Sequence, residues 1–358
     1  MKKPIVPNRI PMYRYPSRNH TSLAVITVLA IANLMPLSVS AESMEEASAS
    51  SPPALTHAAQ ELRSAYRQQQ WQRLAMKNDR DNLIAAVLLG MPTDDDRTPI
   101  TGHADVEQRL ARGFGRDPLA LFTLALACQM QDSPCVAPDA HDALARVAPD
   151  NAVHWLLLPN DAAPSDAQLH SAGTAKYADA HLRDTTRILL AALADQPAPA
   201  QRAGVDPHEL TLRMRRDAID QVALPKFRTA VVLCKGAEGQ RRDDCIALGR
   251  NLEADRSGTI LSKMIGVAIV RRLLKGTPDD ASAKELRRDY VWMGEQLEAS
   301  KDASMERLKN ETVAYGEWKA EQRAVERMGA TATPPPGWIP KNPQALLLSE
   351  ERTPPSSK

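Results

Sequence analysis

The sequence predicts an all-α protein, and three observations carry that prediction. Apolar residues recur at helical spacing through most of the chain. Helix starts and stops punctuate it, with cap residues, prolines and acids at the beginnings and glycines at the ends. No stretch alternates apolar and polar residues over the length of a strand; Val231-Val-Leu233 is too short and lies between helix signals. The expected architecture is a helical array over 55–196, a linker over 197–205 and a C-terminal helical bundle over 206–329. A leader over 42–54 and a proline-rich tail over 330–358 are expected to be disordered.

The first 41 residues carry Lys2, Lys3, Arg9, Arg14 and Arg18, then an uncharged apolar run from Leu23 to Leu34, then Pro36 and Leu37-Ser-Val-Ser-Ala41. This is the pattern of a signal peptide cleaved after Ala41; the apolar run falls well short of the ~20 residues that cross a bilayer. Its removal takes five positive charges and no acids, so the formal charge moves from +1 to −4 (+1 minus 5). A mildly acidic chain without a basic block offers no electrostatic case for nucleic acid. An exported chain with four cysteines is expected to hold two disulfides. Within one helix Cys128 and Cys135 would lie about 10 Å apart, beyond the reach of a bridge, so the chain has to turn between them. Ser133-Pro134 supplies that turn, and Gly236 and Gly239 do the same between Cys234 and Cys245. Zinc is the lesser alternative, since no Cys-x-x-Cys pair or finger histidine spacing is present.

From Leu55 to Met91 the positions Leu62, Tyr66, Trp71 and Leu74, then Leu83, Ile84, Val87 and Leu88, describe a helix pair. The acidic Thr93-Asp-Asp-Asp96 loop lacks the glycine and closing glutamate of a calcium loop. A short helix over 104–112 stops at Gly113-Phe-Gly115, and Asp117-Pro118 restarts the chain as cap and first residue of a buried helix from Leu119 to Met130. A helix from Pro138 to Ala148 follows, and Pro149-Asp150-Asn151 opens a third.

Ala143-Leu-Ala-Arg-Val-Ala-Pro149-Asp-Asn-Ala-Val-His-Trp155 resembles the junction between repeats of tetratricopeptide-type proteins. Asp81-Asn82, Asp117-Pro118 and Asp150-Asn151 are spaced 36 and 33 residues apart, near that family's period. Leu158-Pro159 replaces the glycine and tyrosine that the pattern places after Trp155, and only residues 55–195 show any period. The resemblance, to the tetratricopeptide and Sel1-like families, implies a solenoid that binds protein partners.

Ser165-x-x-Gln168 is a capping box that opens a helix running on through Tyr177, Leu182, Ile188, Leu189 and Leu193. Asp206-Pro207-x-Glu209 caps another, with Leu210, Met214, Ala218 and Val222 on one face; Pro225 starts the helix to Cys234. Gly258 to Leu274 is apolar but carries Lys263, which makes it a buried bundle helix and not a membrane span. Thr277-Pro278-Asp279-Asp280 starts the next, and a charged helix from Ser304 to Met328 ends the bundle.

The zincin, P-loop and nucleophile-elbow motifs are absent, so the sequence points to no catalytic residue, metal ligand or cofactor. His154, Trp155, Tyr177 and His181 are the candidates for a partner-binding groove, with His170 and His208 behind them. The expected function is a periplasmic or secreted non-enzymatic scaffold that binds a protein partner. An inhibitor or immunity-type protein, inserting Thr93–Thr101 or Trp338–Leu348 into an exported enzyme, is the first alternative. An α-helical cell-wall hydrolase with a buried Glu or Asp is the second.

Overall fold

Asp117 and Pro118 start the helix that the rest of the fold surrounds. In the computed structural model, which describes residues 53–93, 100–131, 135–194, 207–299 and 305–352, Asp117 accepts the Ala120 amide and Pro118 occupies the first turn. The helix they open is α4 (Pro118–Met130), and every residue from Leu119 to Gln129 is buried. A helix apolar on all sides belongs inside a fold and not on its surface. Before it come α1 (Pro53–Ala75), α2 (Arg80–Gly90) and α3 (His103–Phe114); α2, buried from Leu83 to Gly90, is the second central helix. After it come α5 (Ala140–Val147), α6 (Asp166–Thr174), α7 (Leu182–Ala192) and α8 (Pro207–Asp220). Next are α9 (Arg228–Cys234), α10 (Gly239–Glu253), α11 (Ile260–Leu273) and α12 (Pro278–Ala299). Finally α13 (Met305–Tyr315) and α14 (Glu317–Arg327) complete the set. Among the described residues no strand forms; one isolated bridge joins Asn151 and Tyr177. No helix among them is long and apolar enough to cross a membrane.

Both expected disulfides are present. Cys128–Cys135 joins the end of α4 to the segment before α5, with Cα atoms 5.0 Å apart, and Cys234–Cys245 joins α9 to α10 at 5.6 Å. The capping box at Ser165 and Gln168 also forms.

Four elements differ from the sequence reading. The segment after Pro149 is a single 3₁₀ turn, Ala152–Leu156, because Leu157 and Leu158 leave the helical conformation to enter the core. The helix expected from Ser165 through Leu193 divides into α6 and α7, since residues 175–180 leave the helical conformation and His181 adopts a left-handed φ of 54°. The final helix breaks at Gly316, whose φ of 85° lets α14 fold back until Arg327 meets Glu311 at 2.7 Å. Residues 330–352, expected as part of a structureless tail, lie along α12 with two short 3₁₀ turns, Pro343–Leu346 and Ser349–Glu351.

The boundary expected at 197–205 does not separate two cores. One contiguous cluster of buried side chains runs from Tyr66 through Leu193 and on through Leu210 to Ile269. The reason is geometric: α6 packs against α10, α1 and α7 against α8, and α7 against α13. The linker itself, the signal segment over 1–41 and most of the 42–54 leader lie outside the described residues. Close helix packing in the second half depends on glycine: a Cβ at Gly266 of α11 would collide with the Gly249 carbonyl and sit 2.6 Å from the Glu253 amide of α10.

Candidate functional site

Of the four groove residues suggested by the sequence, His154 and His181 meet directly, Tyr177 joins them through its backbone, and Trp155 reaches only the Pro149 carbonyl. His154 stands on the 3₁₀ turn that Asn151 caps, and its ring is 1 % exposed. Asn151 Oδ1 accepts the amides of Val153 at 3.2 Å and Asp179 at 2.9 Å, so its side-chain nitrogen is the donor. That nitrogen donates to the Asp179 carbonyl at 2.9 Å and to His154 Nε2 at 2.8 Å. His154 Nδ1 donates to the Ala148 carbonyl at 3.1 Å. His154 is therefore neutral with Nε2 bare, and burial, reinforced by His181, pushes its pKa down to about 3. His181 Nε2, 3.0 Å away, is left to donate to that same atom.

The two imidazoles stack with centroids 5.2 Å apart, and Phe122 of α4 covers His181 at 4.6 Å. Asp184, 3.6 Å from His181 Nδ1, is held below the usual carboxylate range chiefly by that histidine. Tyr177 contributes its backbone, donating to the Asp150 carbonyl at 3.1 Å and accepting the Ala152 amide at 2.8 Å. Its ring carries the Arg256 guanidinium 3.6 Å above the centroid. Trp155 donates its indole N–H to the Pro149 carbonyl at 2.9 Å. The expected groove is thus a clamp that joins the 149–156 turn to the 177–181 segment. Its polar atoms are mostly spent internally; His181 Nδ1, 3.6 Å from Asp184, makes no hydrogen bond among the described residues.

The clamp continues into a second buried network that the sequence does not disclose. Asp255 accepts the amides of Ser257 at 3.0 Å and Thr259 at 3.2 Å and the Ser257 hydroxyl at 2.9 Å. The Ala180 amide donates to Ser257 Oγ at 3.2 Å, which carries the network across to His181's own segment. Burial raises the Asp255 pKa despite these donors. His170 pairs with Asp244 at 2.9 Å and ties α6 to α10, while His208 lies exposed on α8.

Glu317 and Glu321 stand one turn apart on α14 and invite comparison with an acid/base pair. Glu317 accepts the Ile260 amide at 2.8 Å and so caps α11; burial raises its pKa. Glu321 is pushed up to about 8 by burial and by Glu317. Among the described residues no group of three or more metal-ligating side chains assembles.

A shallow, open depression lies on a different part of the surface. A groove of about 520 Å³ lies between α3, α4 and α5. Leu121 and Leu124 form its floor, Ala111 and Gly115 one wall, and Val136, Ala137, Ala140 and Ala143 the other. The second wall begins at Cys135, which the disulfide fastens to α4. Arg112, with Arg116 beyond it, stands on the α3 rim and Asp139 on the α5 rim; among the described residues none of the three forms an ion pair. The signal for this groove is present in the sequence as alanines three residues apart at 137, 140 and 143, but small residues mark close helix packing as readily as an open trough. No protein-family model, curated protein or solved structure matches this chain.

Proposed function

We propose that this chain is an exported, non-enzymatic helical scaffold, and that it holds a protein partner by taking an amphipathic helix of that partner into the groove between α3, α4 and α5. The observation that carries this reading is the groove itself, with an apolar floor and rim charges of opposite sign on its two sides. A helix laid in such a trough packs its apolar stripe against the half-buried Ala111, Val136, Ala137 and Ala143. Acidic residues on one edge meet Arg112 and Arg116, and a basic residue on the other meets Asp139. The two disulfides, the signal-like segment over 1–41 and the likeness of residues 143–155 to a tetratricopeptide junction support the reading. Capping of α11 by Glu317 gives that carboxylate a structural task, which weighs against the hydrolase reading.

The test uses designed helical peptides of this amphipathic pattern, fluorescently labelled, with edge charges in the matching order and in the reversed order. Wild-type protein should prefer the matching peptide, Ala143→Arg should bind neither, and Arg112→Glu should lose the preference. A photo-crosslinker at position 143, used in envelope extract, should then label one partner at a helical segment. Equal binding of both peptides, or indifference to Ala143→Arg, would remove the groove from consideration.

A further inference from the structure

Among the described side chains of residues 331–352, Pro340 alone is buried, yet the segment follows a defined path over α11 and α12. What holds it is a row of side-chain donors aimed at its carbonyl oxygens. Trp292 Nε1 donates to Thr331 at 2.8 Å, Arg287 Nε to Ala345 at 2.8 Å and Arg271 Nη1 to Leu346 at 2.8 Å. Trp338 stands edge-on to Trp292 at 5.5 Å, with the Arg288 guanidinium 5.7 Å from its ring. Indole and guanidinium donors, with an aromatic surface between them, suit a proline-rich chain, whose prolines lack the N–H groups that would pair its carbonyls internally. Isolated turns such as Pro335–Trp338 and Asn342–Ala345 leave the Thr331, Ala345 and Leu346 carbonyls to these side chains. Pro334-Pro335-Pro336 lead directly into Trp338.

Charge matches along the same line. At one end Glu295 accepts the Lys341 amide at 2.6 Å and Glu298 faces the Lys341 ammonium at 3.8 Å. At the other end Arg272 grips Glu350 at 2.5 and 2.9 Å, and Arg271 meets Glu351 at 3.0 Å. The face therefore reads direction as well as composition.

We propose that this face of α11 and α12 is a docking site for a proline-rich segment of a partner protein. That segment carries a tryptophan, then a basic residue, then paired carboxylates. The chain's own residues 331–352 occupy the site until such a segment displaces them. This surface shares no residue with the groove between α3, α4 and α5, so it stands or falls separately.

A labelled peptide of residues 331–352 is the probe, read by fluorescence anisotropy against the full chain. The tethered tail competes at an effective concentration in the millimolar range, so loosening it uncovers the site. Full-length protein carrying Glu350→Lys and Glu351→Lys should bind the peptide about tenfold more tightly than wild type. A peptide with the same two charge reversals should lose about tenfold on that loosened protein, a comparison that no folding defect can produce. Equal binding by wild type and the loosened protein overturns the proposal, as does indifference to the peptide's charges. A concentration-dependent dimer of wild type that the peptide dissolves also overturns it, because the occupant is then a second copy of the chain.

Discussion

Acid should destabilise this fold through His154, by an amount that can be worked out. The ring's pKa is about 3 in the native protein against 6.5 when unfolded. Below pH 6.5 the unfolded chain takes up a proton that the native state refuses, so stability falls with pH from about 6.5 to about 3 and not further. At about 1.36 kcal/mol per pH unit, the 1.5 units between 6.5 and pH 5 amount to about 2 kcal/mol. Glu253, pushed up to about 7, and Glu321, pushed up to about 8, act in the opposite direction, because native protein gains protons there more readily than unfolded protein. Asp184 is depressed, and its contribution is lost only as pH falls below the ordinary carboxylate range. The raw pH profile mixes all of these. The assay that isolates His154 is urea unfolding of wild type and His154→Gln at pH 7 and pH 5. Glutamine keeps an acceptor for Asn151 and His181 but does not titrate, and any packing loss it causes is the same at both pH values. Wild type should lose about 2 kcal/mol more than the variant across that interval. Identical losses would refute the assignment of a bare, proton-refusing Nε2 at position 154.

Three further outcomes follow from the packing. Replacing Cys234 and Cys245 by serine should lower stability by about 3 kcal/mol, the loop-closure value for a bridge spanning 11 residues, seen as a lower urea midpoint than oxidised wild type. Gly266→Ala should cost about 2 kcal/mol or more by forcing α10 and α11 apart, measured by thermal unfolding, because the added methyl meets backbone and not a side chain that can swing away. Asp117→Ala removes both the cap of α4 and the partner of Arg80 at 2.9 Å; it should cost about 1 to 2 kcal/mol, measured in the same way.

The fold class and the helix starts were legible because they rest on local chemistry. Asp117-Pro118, Ser165 with Gln168 and Thr277-Pro278 act within one helical turn, and a helix starts at each. The disulfide pairs were legible from spacing and turn residues alone. What sequence could not show was where a helix yields to tertiary structure. Tyr177 reads as part of the helix that holds Leu182 and Ile188, but Asn151 bonds both the amide and the carbonyl of Asp179 and draws that backbone out of the helix. The histidines at 154 and 181 looked like surface groove residues because nothing local says that two rings 27 positions apart will share one hydrogen bond. The tail read as structureless from its prolines, since its anchors, Arg271, Arg287 and Trp292, sit 39 to 80 residues upstream. The α3–α5 groove escaped notice for the same reason: its two walls and floor come from three helices.

The buried cluster that both halves of the chain share has a consequence for its integrity. A backbone cut placed between Ala194 and Pro207 leaves Leu189 and Leu193 on one fragment and Leu210 and Met214 on the other, all within one shared interior. Such fragments share one interior, so a protein nicked there should stay assembled as a split pair, which size-exclusion chromatography of the cleaved protein would show.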